Sequence, residues 1–140
     1  MYETILLPTD GSAGADAAVE QAITLAESNG ATVHVLNVVD LGSVEAIPDV
    51  EANSIRELME NAGEALVTRV SDQLSSADIA VETAVGKGST ADAIIDYASE
   101  HEVDVIVMGT HGRSGIDRLL LGSVADRVIR RSPISVLIAK

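Results

Sequence analysis

The chain has 140 residues, 46% hydrophobic and 22% charged, which is enough to bury one ordinary core and too apolar for a disordered chain. Twenty-two acidic residues against nine basic ones give a formal net charge of -13, which disfavours nucleic acid and anionic membranes as partners. Cysteine is absent, which removes disulfides and thiolate metal sites; no apolar run nears a membrane span, and no signal-peptide pattern opens the chain, so a cytoplasmic location is expected.

Residues 4–7 form a short β-favouring run that ends in Pro8-Thr9-Asp10-Gly11, a cluster that stops strands. From Ser12 onward Ala15, Ala18, Val19, Ala22, Ile23 and Ala26 recur at helical spacing, with Gly30 placed as a stop. Residues 32–39 are β-branched and largely apolar, as expected of a parallel strand covered on both faces, and residues 40–50 read as a loop. Ser54 and Glu57 have capping-box spacing and predict a helix start, or one a few residues earlier. Ile55, Leu58, Met59, Ala62, Leu66, Val70 and Leu74 mark its apolar stripe.

Residues 79–85 predict a third strand, and Ser89 with Asp92 resembles a cap for a helix burying Ala91, Ile94, Ile95 and Ala98. A fourth strand over residues 103–108 follows, then a helix over 123–131 with Val124, Val128 and Ile129 inward, then a fifth strand over 134–139. Alternation of this kind predicts one α/β domain over residues 1–140, with a mostly parallel sheet and helices on both faces. Ligands of such sheets bind beyond the carboxyl ends of the strands, so the ends to inspect are residues 8–11, 38–40 and 109–123.

The last of these carries G-x2-G-x9-G-S, formed by Gly109, Gly112, Gly122 and Ser123. Glycines allow close backbone approach to an anion, and the N–H groups and dipole of the helix that follows attract phosphate, with the Ser123 hydroxyl as a further donor. His111 sits inside the loop, within reach of a phosphate or serving to shape the turn. The three histidines show no metal-ligand spacing, and Ser114 with His111 has no orienting acid to make a catalytic dyad. A second glycine segment, residues 86–91, satisfies G-x-G-x-x-A. However, Asp104 lies at the beginning of the next strand rather than at its carboxyl end, so a turn and helix start is the better reading.

The chain resembles the universal stress proteins of the ATP-binding type along nearly its whole length. The resemblance rests on ILLPTDGS, NVVD and DVIVMGTHGRSGIDRLLLGSVADRVIRRSP, and it implies a Rossmann-like sheet of strand order 3-2-1-4-5. It also implies that Gly109, Gly112, Arg113, Gly122, Ser123 and Val124 contact phosphates and ribose. By the same likeness Asp10 lies near the ribose or a divalent cation such as Mg2+, and Val38 offers its backbone to the adenine edge. Pro8, Thr9 and Met108, at the ends of strands one and four, complete the candidate set together with His111. For Asp10 the alternative is a cap of the first helix, and for Val38 a plain core position.

Many relatives pair their last strands across a two-fold axis, which makes a homodimer the expected assembly. Proline often precedes the final valine in the family, whereas here Ser135 stands there and Pro133 two residues earlier, a departure that bears on the geometry of strand five. The expected function is a nucleotide-dependent regulatory module that holds ATP, with AMP or a cyclic nucleotide as other ligands. The competing readings are a slow ATP hydrolase or phosphotransferase, for which no base is evident, and a dimeric interaction protein with a vestigial site. Lys87 and Lys140 are the only lysines, an acidic skew that also predicts a salt-adapted, halophilic source.

Overall fold

A computed structural model describes residues 1–42, 49–110 and 121–140. The elements are β1 (Thr4–Pro8), α1 (Ala13–Asn29), β2 (Thr32–Val39), α2 (Asp49–Ser76), β3 (Val81–Lys87), α3 (Thr90–Glu100), β4 (Val105–Gly109), α4 (Ser123–Arg131) and β5 (Ser135–Ala139). They build one five-stranded parallel sheet of order β3-β2-β1-β4-β5.

Strand alternation divides the core in two. Ile5, Leu7, Val33, Val35, Val105 and Val107 face Ala18, Ala22 and Ala26 of α1 and Val67, Val70 and Leu74 of α2. Leu6, Leu36, Ile106 and Met108 face Ala91, Ile94 and Ala98 of α3 and Ala125 and Val128 of α4. Strands buried on both faces explain why β1, β2 and β4 read as largely apolar runs.

Three helices end alike, and this corrects two strand starts. Gly30, Asp78 and Glu102 take left-handed φ values of 64°, 60° and 51°. The next residue then donates its N–H five positions back: Ala31 to Ala26 O, Ile79 to Leu74 O and Val103 to Ala98 O. Ile79 and Val103, expected to begin strands, are the buried closing residues of these turns, so β3 and β4 start two residues later. β5 likewise starts at Ser135, one residue after Ile134.

Helix α2 begins at Asp49, so Ser54 and Glu57 lie within it and form no capping box. Its buried face runs through Ala52, Gly63, Val67, Val70 and Leu74; Ala62 is exposed and Leu58 is 69% exposed, contrary to the expected stripe. A glycine in the middle of that face hid the register, because apolar patterning does not count it. Ser89 is the N-cap of α3 without a side-chain hydrogen bond, and Asp92 instead pairs with Arg131 at 2.7 Å. Ile95 is half-buried, and Ile129 is 42% exposed, because the short α4 turns only a narrow face toward the sheet.

Candidate functional site

The strand order reverses between β1 and β4, where only Ile5↔Val105 and Leu6↔Ile106 pair before the two strands part. α1 leaves β1 over one face of the sheet and α4 leaves β4 over the other, so a crevice opens at their carboxyl ends. A cleft of ≈ 310 Å3 occupies it, walled by Pro8, Thr9, Asp10, Val38, Met108, Gly109, Gly122, Ser123 and Val124 among others. These nine are all sequence-predicted site residues, and one cavity gathers them. His111, Gly112 and Arg113 lie outside the described residues.

The β1 side of the cleft is a tightly bonded turn. Thr9, only 6% exposed, donates its N–H to Leu36 O at 2.9 Å, and its carbonyl accepts from Asn37 Nδ2 at 2.9 Å. Asp10 Oδ1 accepts from the Ser12 N–H at 2.9 Å, closing an Asx turn around Gly11, whose φ of 79° suits glycine. The cap of α1 is Ser12, whose Oγ accepts from the Ala15 N–H at 3.2 Å. Asp10 therefore shapes the approach to the helix and is not its N-cap.

Val38 is set up differently. Successive residues of a parallel strand direct their backbone groups to alternate neighbours. Leu36 O serves Thr9 on the β1 side, while Val39 O accepts from the Gly88 N–H on the β3 side. Val38, two residues past Leu36, therefore points its N–H and C=O toward the β1 side, beyond Pro8↔Leu36, where β1 pairing ends. Its backbone faces the crevice with a donor and an acceptor side by side, which a plain core position would not offer.

On the β4 side, Gly109 serves packing. A Cβ there would fall 3.0 Å from Gly14 Cα and closer still to the Gly14 carbonyl, so α1 lies directly on the end of β4. The Gly122 N–H donates to Thr110 O, which pins together the two ends of the glycine loop. Gly122 is then the N-cap of α4, and having no side chain it makes no side-chain cap. The first-turn N–H groups of α4, beginning with Ser123 and Val124, are thus presented at the cleft wall with the positive end of the helix dipole.

Sequence reasoning missed Ser12, Ala15, Asn37, Thr90 and Ile94, which also line the cleft. Asn37 was detectable as the one amide in an otherwise apolar run, TVHVLNVV. The second glycine segment behaves as a turn: Gly88 has φ 120°, and Lys87 is engaged with Glu60 at 2.8 Å. Asp104 lies at the opposite edge of the sheet, accepting from the Glu3 and Thr4 N–H groups at 2.8 and 3.0 Å. These two bonds hold its carboxyl below the usual carboxylate range. Among the described residues no group of three or more His, Asp or Glu side chains is placed to hold a metal ion.

Proteins similar to this chain in sequence and in fold include universal stress proteins. The universal stress protein family model matches residues 1–140. A universal stress protein of Methanocaldococcus jannaschii is 34% identical over 141 residues, covering 100% of this chain and 83% of that protein. Among solved structures, the universal stress protein UspA from Lactobacillus plantarum superposes with a TM-score of 0.85 at 28% identity, covering 99% of this chain and 98% of that one. A universal stress protein in complex with cAMP superposes with a TM-score of 0.72 at 28% identity, over 99% and 96% of the two chains. The Rossmann-like sheet, the strand order and the family model agree, and the chain belongs to the universal stress protein family.

Proposed function

We propose that the chain is a single regulatory domain that binds an adenine nucleotide, ATP foremost, in the crevice between β1 and β4. The observation that carries this reading is the convergence on one cleft of two unlike recognition elements. Val38 presents a backbone donor and acceptor suited to the edge of a purine, and the α4 N-terminus presents N–H groups suited to phosphate. Asp10 lines the same cleft, and in this reading its carboxylate accepts from a ribose hydroxyl. The cleft volume falls within the range of small-molecule sites. The cAMP complex of a family member supports adenine as the base.

His111, Gly112 and Arg113 add phosphate contacts in this reading, and Asp10 would hold a Mg2+ ion accompanying ATP, which would supply charge neutralisation at the phosphates. Nucleotide occupancy acts by favouring one conformation of the domain. β5 is an edge strand with Val136, Leu137 and Ile138 only half-buried, which supports a homodimer formed through it. The domain works in the cytoplasm, and its acidic surface suits concentrated salt.

The test is to purify the protein without added nucleotide, release any bound ligand with acid and identify it chromatographically. Recovery of ATP is expected. Rapid turnover of added ATP to ADP would overturn the regulatory reading in favour of an enzyme, and neither ligand nor a thermal shift with ATP would overturn nucleotide binding.

A further inference from the structure

We propose that Asn37 is a positioning residue of the nucleotide site, which sets Asp10 through the Thr9 carbonyl and is itself seated by Gly63 of α2. The inference rests on the adenine-nucleotide reading above and concerns a residue to which that reading gives no role.

Asn37 extends from β2 on the face where Val33 and Val35 enter the apolar core. An amide at such a place needs a partner, and Nδ2 finds one in Thr9 O at 2.9 Å. Both backbone groups of Thr9 are then held by β2, the N–H by the Leu36 carbonyl and the C=O by the Asn37 side chain. The peptide group is planar, so fixing the Thr9 carbonyl fixes the whole Thr9–Asp10 peptide and with it the direction in which Asp10 leaves the turn. Asp10 Oδ1 then meets the Ser12 N–H, and the carboxylate stands at the cleft.

The second observation lies on α2. Gly63 is a buried glycine in the interior of a 28-residue helix, where glycine weakens the helix relative to alanine. A Cβ at Gly63 would lie 2.6 Å from Asn37 Oδ1, 3.3 Å from Val85 Cγ1 and 3.4 Å from Asn37 Cγ, so the Asn37 oxygen is by far the tightest contact. The Asn37 amide oxygen therefore occupies the space that a side chain at residue 63 would take. An alanine there displaces the Asn37 oxygen, and the Thr9 bond goes with it.

The experiment is calorimetric titration of ATP into the wild-type chain, Asn37→Leu, Asp10→Ala and the Asn37→Leu/Asp10→Ala double variant, with the fold of each checked by circular dichroism. Asn37→Leu keeps the side-chain shape, removes the donor and adds no charge. It is expected to weaken ATP binding about two- to tenfold, the range of one neutral hydrogen bond. Because Asn37 acts through Asp10, the double variant is expected to match Asp10→Ala within about twofold. Gly63→Ala should reproduce the loss of ATP affinity in the wild-type background and add none in an Asn37→Ala background. Full additivity of the Asn37 and Asp10 losses, or a lowered melting temperature with unchanged ATP affinity, would overturn this inference alone. Absence of ATP binding by the wild-type chain would overturn the nucleotide reading and this inference with it.

Discussion

Replacing Gly109 by alanine separates a packing glycine from a ligand-contacting one. The added Cβ would sit within 3.0 Å of Gly14 Cα and nearer still to the Gly14 carbonyl, all of it backbone, so no side chain can rotate away and α1 must back off from β4. Overpacking of this kind costs about 1–3 kcal/mol. A domain of this length unfolds with an entropy of about 0.3 kcal/mol/K, so the melting temperature of Gly109→Ala should fall by roughly 3–10 °C. The start of α1 carries Ser12 and the Asp10 turn with it, so ATP affinity should fall as well. Differential scanning calorimetry without nucleotide reads the first effect and isothermal titration the second. Gly30→Ala is the control, since a Cβ there meets nothing within 4 Å and only the left-handed φ of 64° resists, at about 1 kcal/mol. A Gly109→Ala protein as stable as wild type would refute the close α1–β4 approach.

Three further outcomes follow from the interactions away from the cleft. His34 is buried, bonded through Nδ1 to Tyr97 OH at 2.7 Å and close to Glu82 at 3.2 Å; burial lowers its pKa below the ordinary 6.5 against the opposing pull of Glu82. The folded state thus favours the neutral ring, so its contribution to stability is complete above pH 6.5 and is lost as pH falls below it. In a series of melts the slope in that window should flatten in His34→Gln, and an unchanged slope would contradict the assignment. Asp104 follows the same sign at lower pH: its stabilisation is present above 3.8, lost as pH falls through its depressed folded value, and absent in Asp104→Ala by acid titration of unfolding. Glu102→Gly relieves a left-handed φ of 51° at the end of α3 and should raise stability by about 0.5–1 kcal/mol in urea unfolding; a loss would contradict that geometry.

The alternation of elements and the strand-end location of the cleft were legible because β1, β2 and β4 are largely apolar and glycine and proline punctuate between the elements. The starts of β3 and β4 were not, since Ile79 and Val103 are apolar for a different reason: each closes a helix behind a left-handed Asp78 or Glu102, residue types that do not announce that conformation. The register of α2 escaped because its central buried position is Gly63, chosen for the amide it faces across the layer, and tertiary fit leaves no periodic trace. Of the residues that line the cleft, Asp10, Gly109, Gly122 and Ser123 were readable as motif residues. Thr90 and Ile94 were not, because they reach the cavity through the stacking of whole elements, and Asn37 showed only as the one amide of its strand. Gly109 was readable as important, but its physical role, contact with Gly14, emerges only when α1 is laid on β4.

Calorimetric titration of ATP into the wild-type protein and Gly122→Val tests the central claim most directly. Gly122 is buried at the start of α4, where its N–H meets Thr110 O, and a branched side chain there blocks approach to the first-turn N–H groups of Ser123 and Val124. The account predicts saturable ATP binding by the wild type and at least about a tenfold loss in a Gly122→Val protein that remains folded. Equal affinity in the two proteins would contradict it.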